Sequence, residues 1–164
     1  MLPDIKQILY ASDLGENSRP AFRMAVELAS RHGAKVTFLH VIEAMSASTE
    51  AVIETYFEPS VLEEMRRTGT EQLKNQMVGR IESFWTEEVP EGFEFPQGKP
   101  EVLIEKGNVE EKILEIAHKI DANIIVMGTR THSALSKMFL GSSAQRVMQH
   151  SDVPVLVVPL PSGH

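Results

Sequence analysis

Cysteine is absent from the 164 residues, which removes disulfides, thiol nucleophiles and thiolate metal sites together. The lack of disulfides suits a reducing cytoplasm. Long apolar runs are missing too. The longest, Val153 to Leu160, is interrupted by Pro154 and Pro159 and falls far short of the roughly 20 residues a membrane helix needs. Met1 to Lys6 shows no basic region followed by an apolar stretch, so no signal peptide, no membrane partner and a cytoplasmic location are expected. Basic charge is in short supply: the net charge of −7 argues against a nucleic-acid partner, because phosphate backbones select basic faces. No pair of histidines shows metal-ligand spacing, so a dedicated zinc site is not expected.

What is present fits one domain of 164 residues with a core of its own, at 42% hydrophobic and 24% charged residues. Gln7 to Ala11 reads as a strand buried on both faces, ending at Ser12-Asp13. Asn17 or Ser18 can cap the following helix, Pro20 sits in its first turn, and Gly33 closes it. Phe22, Ala25, Val26 and Ala29 repeat there at helical spacing. Lys35 to Ile42 is a second strand. Glu43 to Glu58, low in pattern, reads as a mobile connection. Pro59-Ser60 opens a long helix with Leu73, Met77, Ile81, Phe84 and Trp85 on its apolar side. After a loop from Pro90 to Pro100, a third strand covers Glu101 to Glu105 and stops at Gly107. Asn108-Val109 starts a helix with Ile113, Ile116, Ala117 and Ile120 inward. Asn123 to Met127 is a fourth strand, followed by Gly128. Gly141-Ser142-Ser143 precedes a helix with Ala144, Val147 and Met148 inward, and Val155 to Val158 is the last strand.

Strands that alternate with helices throughout predict an α/β fold: a five-stranded, mostly parallel, Rossmann-like sheet with helices on both faces. Ligands of such sheets bind beyond the carboxyl ends of the strands, where the strand order reverses. The first strand ends there in Ser12-Asp13 and the fourth in Met127-Gly128. Gly141-Ser142-Ser143 opens a helix, so its N–H groups and hydroxyls can face an anion at the positive end of the dipole. The logic is that of a phosphate cradle. Yet neither Gly-x-x-x-x-Gly-Lys-Ser/Thr nor Gly-x-Gly-x-x-Gly occurs, so the cradle is of another type.

The sequence reads Gly128-Thr129-Arg130-Thr131, nine further residues, then Gly141-Ser142. With Ile8 to Asp13, Leu39-His40-Val41, Ile124 to Gly128, Gly141 to Arg146 and Val153 to Pro159, it resembles the universal stress protein family over nearly the whole chain. Nucleotide-binding members of that family carry Gly-x2-Gly-x9-Gly-Ser/Thr after the fourth strand. The resemblance implies that Ala11, Ser12 and Asp13 line an adenosine, with Asp13 also near the ribose or a metal-bound polyphosphate. It implies that Val41 contacts adenine, that Met127 and Gly128 begin the phosphate turn, and that Gly141, Ser142 and Ser143 end it. It implies ATP, with or without Mg, or AMP or cAMP as ligand, a role in stress response or signalling, and at most slow ATP hydrolysis. It also implies a homodimer through Val155 to Val158 and further regulatory protein partners.

The second glycine of the family pattern is Thr131 here. If that position needs a positive φ, a non-glycine residue costs roughly 1–2 kcal/mol, or on the order of tenfold in affinity. The Thr131 hydroxyl and the charge of Arg130 can offset part of the loss; the Thr131 methyl can instead block the close backbone approach that glycine allows. Two other readings therefore stand beside ATP binding: a dimeric protein-interaction module with a degenerate pocket, and a cAMP-binding variant.

Plainer roles suit other residues. His40 reads as a satisfied core histidine, His132 as a solvated loop residue, and His32, His118 and His150 as helix C-terminal residues. Ser142-Ser143 lacks a nucleophile elbow. Glu63-Glu64 and Glu110-Glu111 read as solvated helix faces, and Met24, Met65, Met77 and Met148 as packing residues. The resemblance places the turn at Gly107 near the ribose, which makes Gly107 a further site candidate.

Overall fold

The computed structural model describes residues 1–13, 18–129 and 141–161. Within them the order is β1 (Gln7–Ala11), α1 (Arg19–His32), β2 (Lys35–Glu43), α2 (Ala47–Tyr56), α3 (Pro59–Glu88), β3 (Glu101–Gly107), α4 (Val109–Lys119), β4 (Ile124–Gly128), α5 (Ser142–His150) and β5 (Val155–Val158). The sheet runs β3-β2-β1-β4-β5, and each neighbouring pair is parallel. The chain winds outward from β1 to β3 and then returns to the other side for β4 and β5. The order therefore reverses between β1 and β4. Ala11 stands in register with both Leu39 and Met127, so β1 and β4 end nearly level there while β2 runs on to Glu43.

Alternation along the strands makes two cores. Ile8, Tyr10, Val36, Phe38 and Val126 pack with Ala21, Phe22, Ala25 and Ala29 of α1 and with Met77 and Ile81 of α3. Leu9, Ala11, Leu39, Ile125 and Met127 face Ile113, Ile116 and Ala117 of α4 and Ala144 and Val147 of α5. The first core is aromatic: Phe38 meets Tyr10 edge-on at 4.7 Å between ring centroids, and Phe22 meets Trp85 at 6.1 Å, geometries that suit the ring quadrupoles.

Helix ends follow their expected chemistry in part: Ser18 stands at the N-cap of α1 without a side-chain capping bond. Pro20 stands in the first turn of α1, and Gly33 ends the helix at φ +63°, a left-handed position that glycine occupies without strain. Asn108 caps α4 by accepting the N–H of Glu111 at 3.0 Å. The C-terminus of α3 is bound to α1 through Glu88, which accepts from Arg19 Nη1 at 3.0 Å and from Arg23 Nη2 at 3.1 Å.

Three expectations are corrected. The segment from Glu43 to Glu58 contains α2, capped by Ser46, whose hydroxyl accepts the N–H of Thr49 at 3.3 Å. The helix buries no residue, so it has no apolar stripe for periodicity to reveal. Met24, Met65 and Met148 are exposed, and only Met77 of the four methionines packs inside; in α5, Ala144 and Val147 form the inward face without Met148. Glu110 is half-buried and bonds His150 of α5, so it joins two helices instead of standing in solvent.

Candidate functional site

Above the reversal point lies a cavity of about 320 Å³. From β1 and the turn after it come Ala11, Ser12 and Asp13; from β2, Val41; from β4, Met127 and Gly128; from the start of α5, Gly141 and Ser143. Eight residues chosen from the sequence thus converge on one space. Ser142 is exposed at the first position of α5 and is not among the lining residues. Gly107, at φ +150°, is not itself among the lining residues, although its partner in the sheet, Glu43, and nearby Val109 are. Arg130 and Thr131, and His132 with them, lie outside the described residues.

The walls differ in character. Leu39, Val41, Val109, Ile113, Met127 and Ala144 line it from the α4 and α5 side, a surface suited to a flat apolar ring. At the other end Gly141 precedes α5, whose first intrahelical bond runs from Gln145 N–H to Gly141 carbonyl at 3.0 Å. The N–H groups of Ser142 and Ser143 come before that bond, at the positive end of the helix dipole. An anion placed there meets oriented donors. The Asp13 carboxylate is exposed at the rim and can accept from hydroxyls or meet a cation.

The sequence reading missed several lining residues. Tyr10 is 1% exposed and gives its hydroxyl hydrogen to the Ser18 carbonyl at 3.3 Å. Burial pushes its phenol up to about 12, against the pull of hydrogen bonds with Ser12 and Ser18; it is a neutral donor at neutral pH. His40 donates from Nδ1 to the Ser12 carbonyl at 2.7 Å. It is satisfied, as expected, but it also lines the cavity and a second recess beside it, with Asp13, Gln76 and Arg80. Leu160 folds back from β5 onto Gly128, its N–H bound to Thr129 Oγ1 at 2.9 Å. Leu73 and Met77 of α3 complete that side. Only the helical spacing of Leu73 and Met77 was visible beforehand, and it signalled packing.

Among the described residues, no group of three or more histidines or carboxylates could hold a metal ion. No helix among them is long and apolar enough to cross a membrane.

Comparison with known proteins agrees with this fold. The model of the Universal stress protein family matches residues 4–159. A universal stress protein of Staphylococcus aureus (strain USA300) is 29% identical over 153 residues, covering 93% of this chain and 83% of the relative. Among solved structures, the hypothetical protein MJ0577 superposes with a TM-score of 0.69 at 29% identity, over 98% of this chain and 99% of that one. Two more share the fold. UspA from Lactobacillus plantarum has a TM-score of 0.66 at 22% identity, over 94% of this chain and 97% of its own. A universal stress protein in complex with cAMP has a TM-score of 0.57 at 15% identity, over 95% and 98%.

Proposed function

We propose that this chain, which belongs to the universal stress protein family, holds an adenine nucleotide above β1 and β4 and acts through it as a stress-response or signalling module. One observation carries the reading: residues from β1, β2, β4 and α5 line a single cavity at the reversal of strand order. Its apolar wall suits the purine, the Asp13 rim suits the ribose, and the first turn of α5 suits phosphate. At about 320 Å³ the cavity is small among ligand pockets, which span roughly 300–1,000 Å³. ATP is the ligand proposed. Mg²⁺ would arrive on the polyphosphate, with Asp13 a carboxylate at the cavity to meet it.

The role proposed is binding, with at most slow hydrolysis of ATP. The test is mass spectrometry of the purified, denatured protein, followed by ATP titration with Mg²⁺. Adenine nucleotide released from the protein, or saturable binding, supports the reading. No nucleotide and no binding at millimolar ATP would overturn it and favour a protein-interaction module.

A second reading has its own support, since one structural neighbour is a universal stress protein in complex with cAMP. Competition between cAMP and ATP decides between them. A homodimer through β5 belongs to the same proposal. That strand pairs with β4 along one edge, and an exposed outer edge invites a second copy.

A further inference from the structure

We infer that His40 is a positioning residue for the nucleotide: it clamps the turn after β1 and thereby sets where Asp13 meets the ligand. The inference rests on the adenine-nucleotide reading above. Ser12 is held to β2 at both ends of its backbone. Its N–H donates to the Leu39 carbonyl at 3.0 Å, which continues the ladder one residue past β1. Its carbonyl accepts from His40 Nδ1 at 2.7 Å, a bond from the side chain of the very next residue in β2. A carbonyl only accepts, so Nδ1 carries the proton. The next residue in the chain is Asp13, whose carboxylate stands at the cavity rim.

The bond to Leu39 fixes the Ala11–Ser12 peptide plane, and the bond from His40 fixes the Ser12–Asp13 plane. Without the second, that plane is free to rotate, and Asp13 turns with it. His40 also lines the recess shared with Asp13, Gln76 and Arg80.

The test uses three full-length proteins: wild type, His40→Asn and His40→Gln. An asparagine amide can donate from close to the Nδ1 position, and glutamine reaches the Nε2 position instead. ATP and AMP are titrated into each by calorimetry, and amide hydrogen exchange is followed at Ser12 and Asp13. His40→Gln is expected to weaken ATP and AMP by the same factor, roughly five- to tenfold. Exchange at Asp13 should rise in that variant, and His40→Asn should restore both properties. Equal affinity and equal exchange in all three proteins would overturn the inference. Equal losses in both variants, with matching falls in thermal midpoint, would reduce His40 to a packing residue and overturn it as well. If wild type binds no adenine nucleotide while exchange at Asp13 still separates glutamine from asparagine, the clamp stands and the nucleotide reading falls.

Discussion

Leu160 lies so close over Gly128 that a Cβ built on the glycine would stand 2.5 Å from Leu160 Cδ1 and 2.7 Å from its Cγ. Gly128 is therefore small for two reasons: it ends a strand at the cavity, and it seats a side chain from beyond β5. Gly128→Ala should cost about 1–3 kcal/mol, the usual range for overpacking. The double variant Gly128→Ala with Leu160→Ala should recover most of that loss. Urea denaturation of the four proteins in the cycle measures the coupling, and strictly additive effects would refute the contact as the cause.

Glu88 should make stability depend on acid pH. The bond from Arg23 and that from Arg19 hold its carboxyl below the ordinary 4.5, against the opposing effect of burial. A folded-state value below the unfolded one contributes stability that is full above the unfolded value and lost as pH falls through the folded one. Between about pH 5 and about pH 3 the wild-type thermal midpoint should therefore fall more steeply than that of Glu88→Gln. At neutral pH the variant should melt a few degrees lower, a small effect because the arginine partners are open to solvent. Parallel curves for the two proteins would remove Glu88 from the account.

The outer edge of β5 can be probed without touching its inner one. The carbonyls of Pro154 and Val158 accept from Ile125 and Thr129 of the β4 side, at 2.9 and 3.0 Å. Alternation then turns the N–H of Val157 outward. Val157→Pro removes that donor and leaves the bonds to β4 in place. The expected outcome is a dimer for wild type and a monomer for the variant, by sedimentation at micromolar concentration. A wild-type monomer would count against the dimer itself.

The resemblance sets Thr131 where nucleotide-binding members carry a glycine, and the reading can be tested there. If position 131 needs a positive φ, Thr131→Gly should tighten ATP binding roughly tenfold, read by calorimetry in the presence of Mg²⁺. Unchanged affinity would mean that the position needs no glycine. Binding gained from nothing would mean that the natural loop is disabled.

Much of the fold was legible because strong local signals agreed with the global packing. The limits of β1 and β5 match the sequence reading, and Pro20 and Gly33 mark the ends of α1 as expected. What escaped was structure without an apolar stripe, as in α2, whose Ser46 cap and alanine and glutamate content were the only clues. Contacts between distant segments escaped for another reason. Nothing local to Leu160 reports that it covers Gly128, and nothing near Glu110 reports His150, forty residues on. The candidate site was legible where residues end strands, at Ala11 to Asp13 and Met127-Gly128. It was not legible where side chains reach across, as with Tyr10 and His40.

Helix α3 spans thirty residues, about 45 Å at 1.5 Å per residue. Its grip on the rest of the protein is concentrated from Leu73 onward, through Met77, Ile81 and Phe84 and the Glu88 anchor. From Ala44 to Gln72, Leu62 is buried and Glu50 and Ile53 are half-buried; the other residues are exposed. The crevice takes no wall from that stretch. Its length is thus uncoupled from the ligand site: residues can be added or deleted there, or a reporter domain spliced in, while the reversal point of the sheet keeps its shape.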